Sequence, residues 1–158
     1  MGKTTLIKHV DLSHINGFQF TGCDFSVAAG APNVATYNLG IAAYDAGFKA
    51  DYISIANPDK CNFTGHYAGV YASKGTRTYT FSVKNSVFTN NAIGIYVNGV
   101  TNESVLFNTF NLKASPAISC NGSIGAFGIE MLSSTGFAIE QNRFQKASGA
   151  PVDRKSVV

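Results

Sequence analysis

The sequence predicts an all-β solenoid, a parallel β-helix of about five rungs, from three observations: a recurring phenylalanine unit, short stretches of period-2 alternation, and the absence of helical spacing. Phe25, Phe63, Phe88, Phe110 and Phe144 each stand two positions after a small or amide residue, in order Cys23, Cys61, Ser86, Asn108 and Asn142. A Gly-aliphatic pair follows the first four: Gly40-Ile41, Gly69-Val70, Gly94-Ile95 and Gly128-Ile129. A unit this short cannot bury its own apolar face, so it must stack on a neighbour. A right-handed coil is expected, because parallel crossovers strongly prefer that hand.

Successive anchoring phenylalanines lie 38, 25, 22 and 34 residues apart. Between anchor and Gly-aliphatic pair the compact units need 6 residues, whereas the first needs 15 and the fourth 18. Insertions are tolerated at solvent-facing turns and not in stacked strands, so 26–39 and 111–127 mark one variable corner.

Taken in chain order, Leu6, Val10, Leu12 and Ile15 read as part of a preceding rung. Phe18/Phe20, Phe81/Val83 and Phe137/Ile139 alternate as strands with one buried face, as do Ile95/Val97 and Ile129/Met131. The alternation changes phase between Phe20, Val83, Val105 or Ile139 and the residue two before the anchor, so the chain must bend there and begin a new strand. At that bend Asn108 and Asn142 read as a ladder of amides, and Cys or Ser fits the same narrow space. The glycine of each Gly-aliphatic pair is read as freer backbone on leaving a turn.

Composition limits the remaining possibilities. With 13% charged and 45% hydrophobic residues and no Trp, the chain can build one core and is too weakly charged to be disordered. A formal charge of +3 leaves no nucleic-acid footprint. No long apolar run marks a membrane span, and the first residues carry no apolar signal-peptide region. Residues 153–158 break the pattern and resemble the translation of a common sequencing adapter. The expected β-helix is therefore 1–152, an uncapped fragment with native neighbouring rungs at both ends and a non-native tail.

Gly17-Phe18-Gln19-Phe20-Thr21-Gly22-Cys23-Asp24-Phe25, the segment Gly40 to Phe48, Gly94-Ile95-Tyr96-Val97 and Asn142-Arg143-Phe144 carry a resemblance. Nearly all of 15–145 resembles secreted bacterial right-handed β-helix repeat proteins, many of which are large surface proteins with a carboxy-terminal sorting domain. That resemblance implies an extracellular or cell-surface location. It leaves function open, because β-helices host pectate lyases, polygalacturonases, tailspikes, adhesins and passive stalks.

No catalytic residue, metal site or cofactor is expected. Gly2-Lys3-Thr4-Thr5 lacks the strand and helix of a phosphate-binding loop. Cys23 and Cys61 share a register and are expected to stack as free thiols, since in-register strands seldom aim two Cβ atoms suitably for a disulfide. His9, His14 and His66 read as solvated or capping residues. Lyase chemistry needs clustered carboxylates for calcium and a basic proton acceptor. Hydrolase chemistry needs carboxylates on neighbouring rungs. Asp11, Asp24, Asp45, Asp51, Asp59, Glu103, Glu130 and Glu140 show no common register in the sequence. The candidate ligand site is an outward stripe of Tyr71, Tyr96 and Glu130, each following an inward aliphatic. Its stacked aromatics and acid fit a polysaccharide or cell-surface glycan, while a stabilising Tyr pair is the plainer alternative. The expected function is thus a non-catalytic, glycan-binding or adhesive segment. The alternative is part of a polysaccharide lyase or glycoside hydrolase with catalytic rungs elsewhere.

Residues 1–152 alone are expected to self-associate through open rung faces, whereas the same segment extended by its native downstream rungs is expected to be monomeric. Size-exclusion chromatography with thermal melting checks this; a monodisperse, cooperatively melting short form is the contrary result.

Overall fold

The structure, a computed structural model, describes residues 5–27, 36–56, 58–112, 119–120, 123–124 and 126–146. It is a right-handed parallel β-helix of five rungs whose strands form three five-stranded parallel sheets. The first sheet contains Thr5–Ser13, Thr36–Tyr44, Ala68–Ser73, Ile93–Asn98 and Phe127–Leu132. Phe18–Thr21, Phe48–Asp51, Ser82–Lys84, Ser104–Leu106 and Ala138–Glu140 form the second. The third consists of Asp24–Ser26, Asn62–Thr64, Val87–Thr89, Thr109–Leu112 and Arg143–Lys146. Leu6 to Leu12, expected in a preceding rung, instead form the first-sheet strand of the rung that ends on Phe25, with Ile15 at its first corner.

The anchoring phenylalanines form one interior column on the third sheet. Successive ring centroids from Phe25 to Phe144 are 4.9, 4.7, 4.8 and 4.9 Å apart, with interplanar angles of 6° to 12°. From Phe63 to Phe144 each ring sits against the glycine that begins its own rung's Gly-aliphatic pair. A Cβ on Gly94 would lie 2.6 Å from Phe110 Cδ1 and 2.5 Å from the Gly128 carbonyl oxygen; Gly69 and Gly40 are equally hemmed in by the next rung. None of the four glycines has the positive φ that a turn would require. The turn-release reading of the sequence is therefore replaced by close approach: glycine leaves the space that a ring fills.

At the corner between second and third sheets, amides tie the fourth and fifth rungs to the one before, whereas in the third the Ser86 hydroxyl donates within its own rung to the Lys84 carbonyl at 2.9 Å. Asn108 Oδ1 accepts the Ser86 N–H at 2.9 Å while its Nδ2 donates to the Val83 carbonyl at 2.9 Å. Asn142 repeats this with the Asn108 N–H and the Val105 carbonyl, at 2.9 and 2.7 Å. The Cys61 thiol makes the corresponding contact to the Phe20 carbonyl, at 3.6 Å. Cys23 and Cys61 are free thiols in neighbouring rungs, and burial pushes the Cys61 thiol pKa up. A second ladder closes the corner from third to first sheet. There Asn91 accepts the His66 N–H and donates to the Phe63 carbonyl, both at 2.8 Å. His66 stands one rung earlier, and its Nε2–H donates to the Phe25 carbonyl at 2.9 Å.

Insertions occupy more than the one corner expected. The second-to-third corner is two residues long at 22–23, 85–86, 107–108 and 141–142 but spans 52–61 in the second rung. Another insertion, 74–81, follows the first sheet in the third rung, and the buried Asp45 carboxylate anchors it by accepting from the Thr76 and Arg77 N–H groups. The insertions 26–39 and 111–127 both join third sheet to first, on one edge of the coil as expected. Their segments 28–35, 113–118, 121–122 and 125, and the expected tail 153–158, lie outside the described residues.

A second column stands at the entry to the second sheet, buried at Phe48, Phe81 and Glu103 and exposed at Phe18 and Phe137 in the first and fifth rungs. Strand register places Phe18, Phe48, Phe81, Glu103 and Phe137 in sequence. Glu103 thus takes a phenylalanine's place, 1% exposed, with neither carboxyl oxygen hydrogen-bonded to a partner.

Gly94→Ala is expected to cost about 1–3 kcal/mol or more, read from denaturant midpoints, because the obstructing groups, the stacked Phe110 ring of its own rung and the Gly128 carbonyl of the next, are both fixed by the stack. Burial holds the Glu103 carboxyl above its ordinary pKa, so its contribution is full below about pH 4.5 and is lost as pH rises through the elevated folded value. Glu103→Gln should raise the melting temperature at pH 7 and flatten that alkaline slope; an unchanged slope would place the charge elsewhere. His66 behaves oppositely: desolvation lowers its pKa from 6.5 to about 4, so stability present above pH 6.5 is lost as pH falls toward 4. His66→Asn, which copies Asn91, should remove that acid-side loss in pH-dependent melts.

Candidate functional site

The first-sheet strands are longer than those of the other sheets in every rung, so they present three outward rows of side chains. One row runs Lys8, Leu39, Ala68, Ile93, Phe127; the next Asp11, Ala42, Tyr71, Tyr96, Glu130; the third Ser13, Tyr44, Ser73, Asn98, Leu132. Outward placement of the first row follows from the glycine beside it. In the fourth rung Gly94 and Ile95 both face the interior, so the strand's alternation skips a step and Ile93 joins Tyr96 outside. Leu39, Ala42, Ala68 and Ile93 form a small external apolar cluster covered by Tyr67, Tyr71, Tyr96 and Phe127.

Above this cluster lies a cleft of about 610 Å³. Five tyrosines line it: Tyr37, Tyr44, Tyr67, Tyr71 and Tyr96. The Tyr71 and Tyr96 rings stack at 4.8 Å and 15°, while Tyr37 meets Tyr67 edge-on at 4.4 Å. Polar groups come from Lys8, Asp11 and Ser73. Lys8 Nζ donates to Asp11 Oδ2 at 2.8 Å, so the two charges on this rim are paired with each other. Tyr44 also carries the edge of His14 at 5.3 Å, beyond which the His14 Nε2 approaches the buried Asp45 carboxylate only to 3.9 Å.

Of the three expected residues, Tyr71 and Tyr96 meet in the cleft lining, and Glu130 stands beside Tyr96 in the same row. Sequence reading missed Lys8, Asp11, Tyr37, Tyr44 and Tyr67. Asp11 escaped because the first rung has His9-Val10 where later rungs have Gly-aliphatic, so the repeat offered no anchor for its register. Tyr37 and Tyr67 precede the Gly-aliphatic pair, where the alternation skips.

One sequence reading of the acids is corrected. Asp11 and Glu130 do share a register. Four rung steps of about 4.8 Å each hold them roughly 19 Å apart, well beyond the 5–9.5 Å or so at which paired carboxylates cleave a glycosidic bond. Among the described residues no three His, Cys, Asp or Glu side chains group as a metal cage, and no helix is long and apolar enough to cross a membrane. His66 is buried and bonded into a corner, whereas His9 and His14 are exposed. Comparison with known proteins finds no matching family model, no matching curated protein and no matching solved structure, so a functional reading has to come from the cleft itself.

Proposed function

We propose that this chain is a non-catalytic, carbohydrate-binding stretch of a secreted or cell-surface β-helix protein, of the kind its repeats resemble. The observation that carries the reading is the gathering of five of its seven tyrosines around one cleft on one outward face. Elsewhere the tyrosines are only Tyr52 and Tyr79. Tyrosine supplies an apolar ring face for sugar C–H groups and a hydroxyl for sugar oxygens, with little side-chain entropy to lose. A stabilising cross-strand pair would need only Tyr71 and Tyr96; it does not account for Tyr37, Tyr44 and Tyr67 or for the open volume between them. Stacking closes the facing sides of the pair, so the face contacts available to a sugar lie at the ends of the stack and on the surrounding tyrosines.

Arrayed-glycan binding followed by titration calorimetry tests the proposal. Tyr71→Ala and Tyr96→Ala are each expected to weaken binding of the best glycan about tenfold or more, a change of about 1.4 kcal/mol, with no release of reducing ends by the parent protein. Binding unchanged in both variants would assign the pair to sheet stability, and reducing-end release would favour a polysaccharide lyase or glycoside hydrolase.

A further inference from the structure

The Tyr71–Tyr96 stack stops inside the cleft, and the residue that stops it is Ala42. A tyrosine there would continue the ladder, whereas a methyl group leaves a face of Tyr71 directed at the Asp11 position of the first rung. Two rung steps of about 4.8 Å separate those positions, which is room for one six-membered ring lying parallel to the Tyr71 ring. The Ala42 methyl is itself buried, forming a narrow floor beneath that ring.

We propose that the space above Ala42 is a subsite for a single uncharged pyranose unit, stacked on Tyr71 and hydrogen-bonded through its hydroxyls to Asp11. This rests on the glycan-binding reading and assigns its specificity. Asp11 holds Lys8 with one carboxylate oxygen and keeps acceptor capacity on the other for a sugar hydroxyl. Because Lys8 and Asp11 already neutralise each other, and no other charged side chain lines the cleft among the described residues, the site offers no spare positive charge to a sugar acid. A uronate would have to break that pair or set its own carboxylate beside Asp11. A flat aromatic ligand would cover the rim's ammonium, carboxylate and hydroxyl groups without bonding to them, and unmade polar contacts are costly. A pyranose has C–H groups for the tyrosine face and hydroxyls for the rim.

The test uses the whole chain and hexasaccharides of glucose, mannose and galactose as neutral probes, with hexagalacturonate as the acidic one. Binding is read by tyrosine fluorescence, since the protein has no Trp, and by saturation-transfer NMR. The neutral probes should include a binder that exceeds hexagalacturonate. Ala42→Tyr should weaken it at least tenfold with an unchanged or higher melting temperature, and Asp11→Asn should weaken it severalfold. Asp11 is exposed, so this second variant remains informative if Ala42→Tyr fails to fold. If Tyr71→Ala loses binding while Ala42→Tyr and Asp11→Asn keep it, the subsite is wrong and glycan binding stands. Stronger binding of hexagalacturonate overturns the uncharged assignment. No binding to any array glycan or probe overturns both proposals.

Discussion

The fit of a phenylalanine ring into the space left by a glycine on the facing strand is the contact around which the whole coil is organised. The anchoring rings stack on one another in turn, and Phe63, Phe88, Phe110 and Phe144 lie against Gly40, Gly69, Gly94 and Gly128 on the first sheet. The stack sets the repeat along the axis, and the glycine sets how near the first and third sheets approach. The ring belongs to the glycine's own rung and the close carbonyl at Gly40, Gly69 and Gly94 to the next, so the same site closes one rung and couples it to its neighbour, as expected of a solenoid whose stability resides largely at its repeat interfaces.

Parallel strands leave their corners full of backbone groups that must be bonded or wetted. Here the bonding groups are short side chains that reach one rung back: Asn108, Asn142 and Asn91, with Cys61 and His66 in equivalent roles. The first residue of the short second-to-third corner is left-handed in four rungs, at Gly22, Asn85, Phe107 and Gln141. Phe107 is held in that conformation by a hydrogen bond from its N–H to the Glu140 carbonyl of the following rung, at 3.1 Å. Glu103 is the exception to this economy, a buried acid set into a column of rings with neither oxygen bonded to a partner.

The cleft is a consequence of the same glycine. A strand whose alternation skips at the Gly-aliphatic step turns an additional apolar residue outward, and the tyrosines shield that residue from water. Their hydroxyls and the Lys8–Asp11 pair then give an apolar floor a polar rim, the combination common to small-molecule sites. Ala42 interrupts the aromatic ladder at the place where the cleft is lined by groups of both kinds.

The fold was legible in the residues because repetition averages out local ambiguity. Five copies of one unit located the Phe column, separated the second and third strands of each rung through Phe20, Val83, Val105 and Ile139, and identified Asn108 and Asn142 as a ladder. The pair Tyr71 and Tyr96 was legible for the same reason, since each follows a recognisable Gly-aliphatic step. What only the tertiary structure decided depends on atoms from different rungs meeting. The four glycines serve ring packing and not a turn, a distinction invisible in local sequence because it is made by a ring across the coil and, at Gly40, Gly69 and Gly94, by a carbonyl of the following rung. Asp11 and Lys8 join the tyrosines although the first rung lacks the repeat signature, since strand pairing sets their register where sequence offers no anchor. Tyr37, Tyr44 and Tyr67 converge on Tyr71 because stacking brings residues from separate rungs to within a few ångströms, and the chain's linear order carries no record of that proximity.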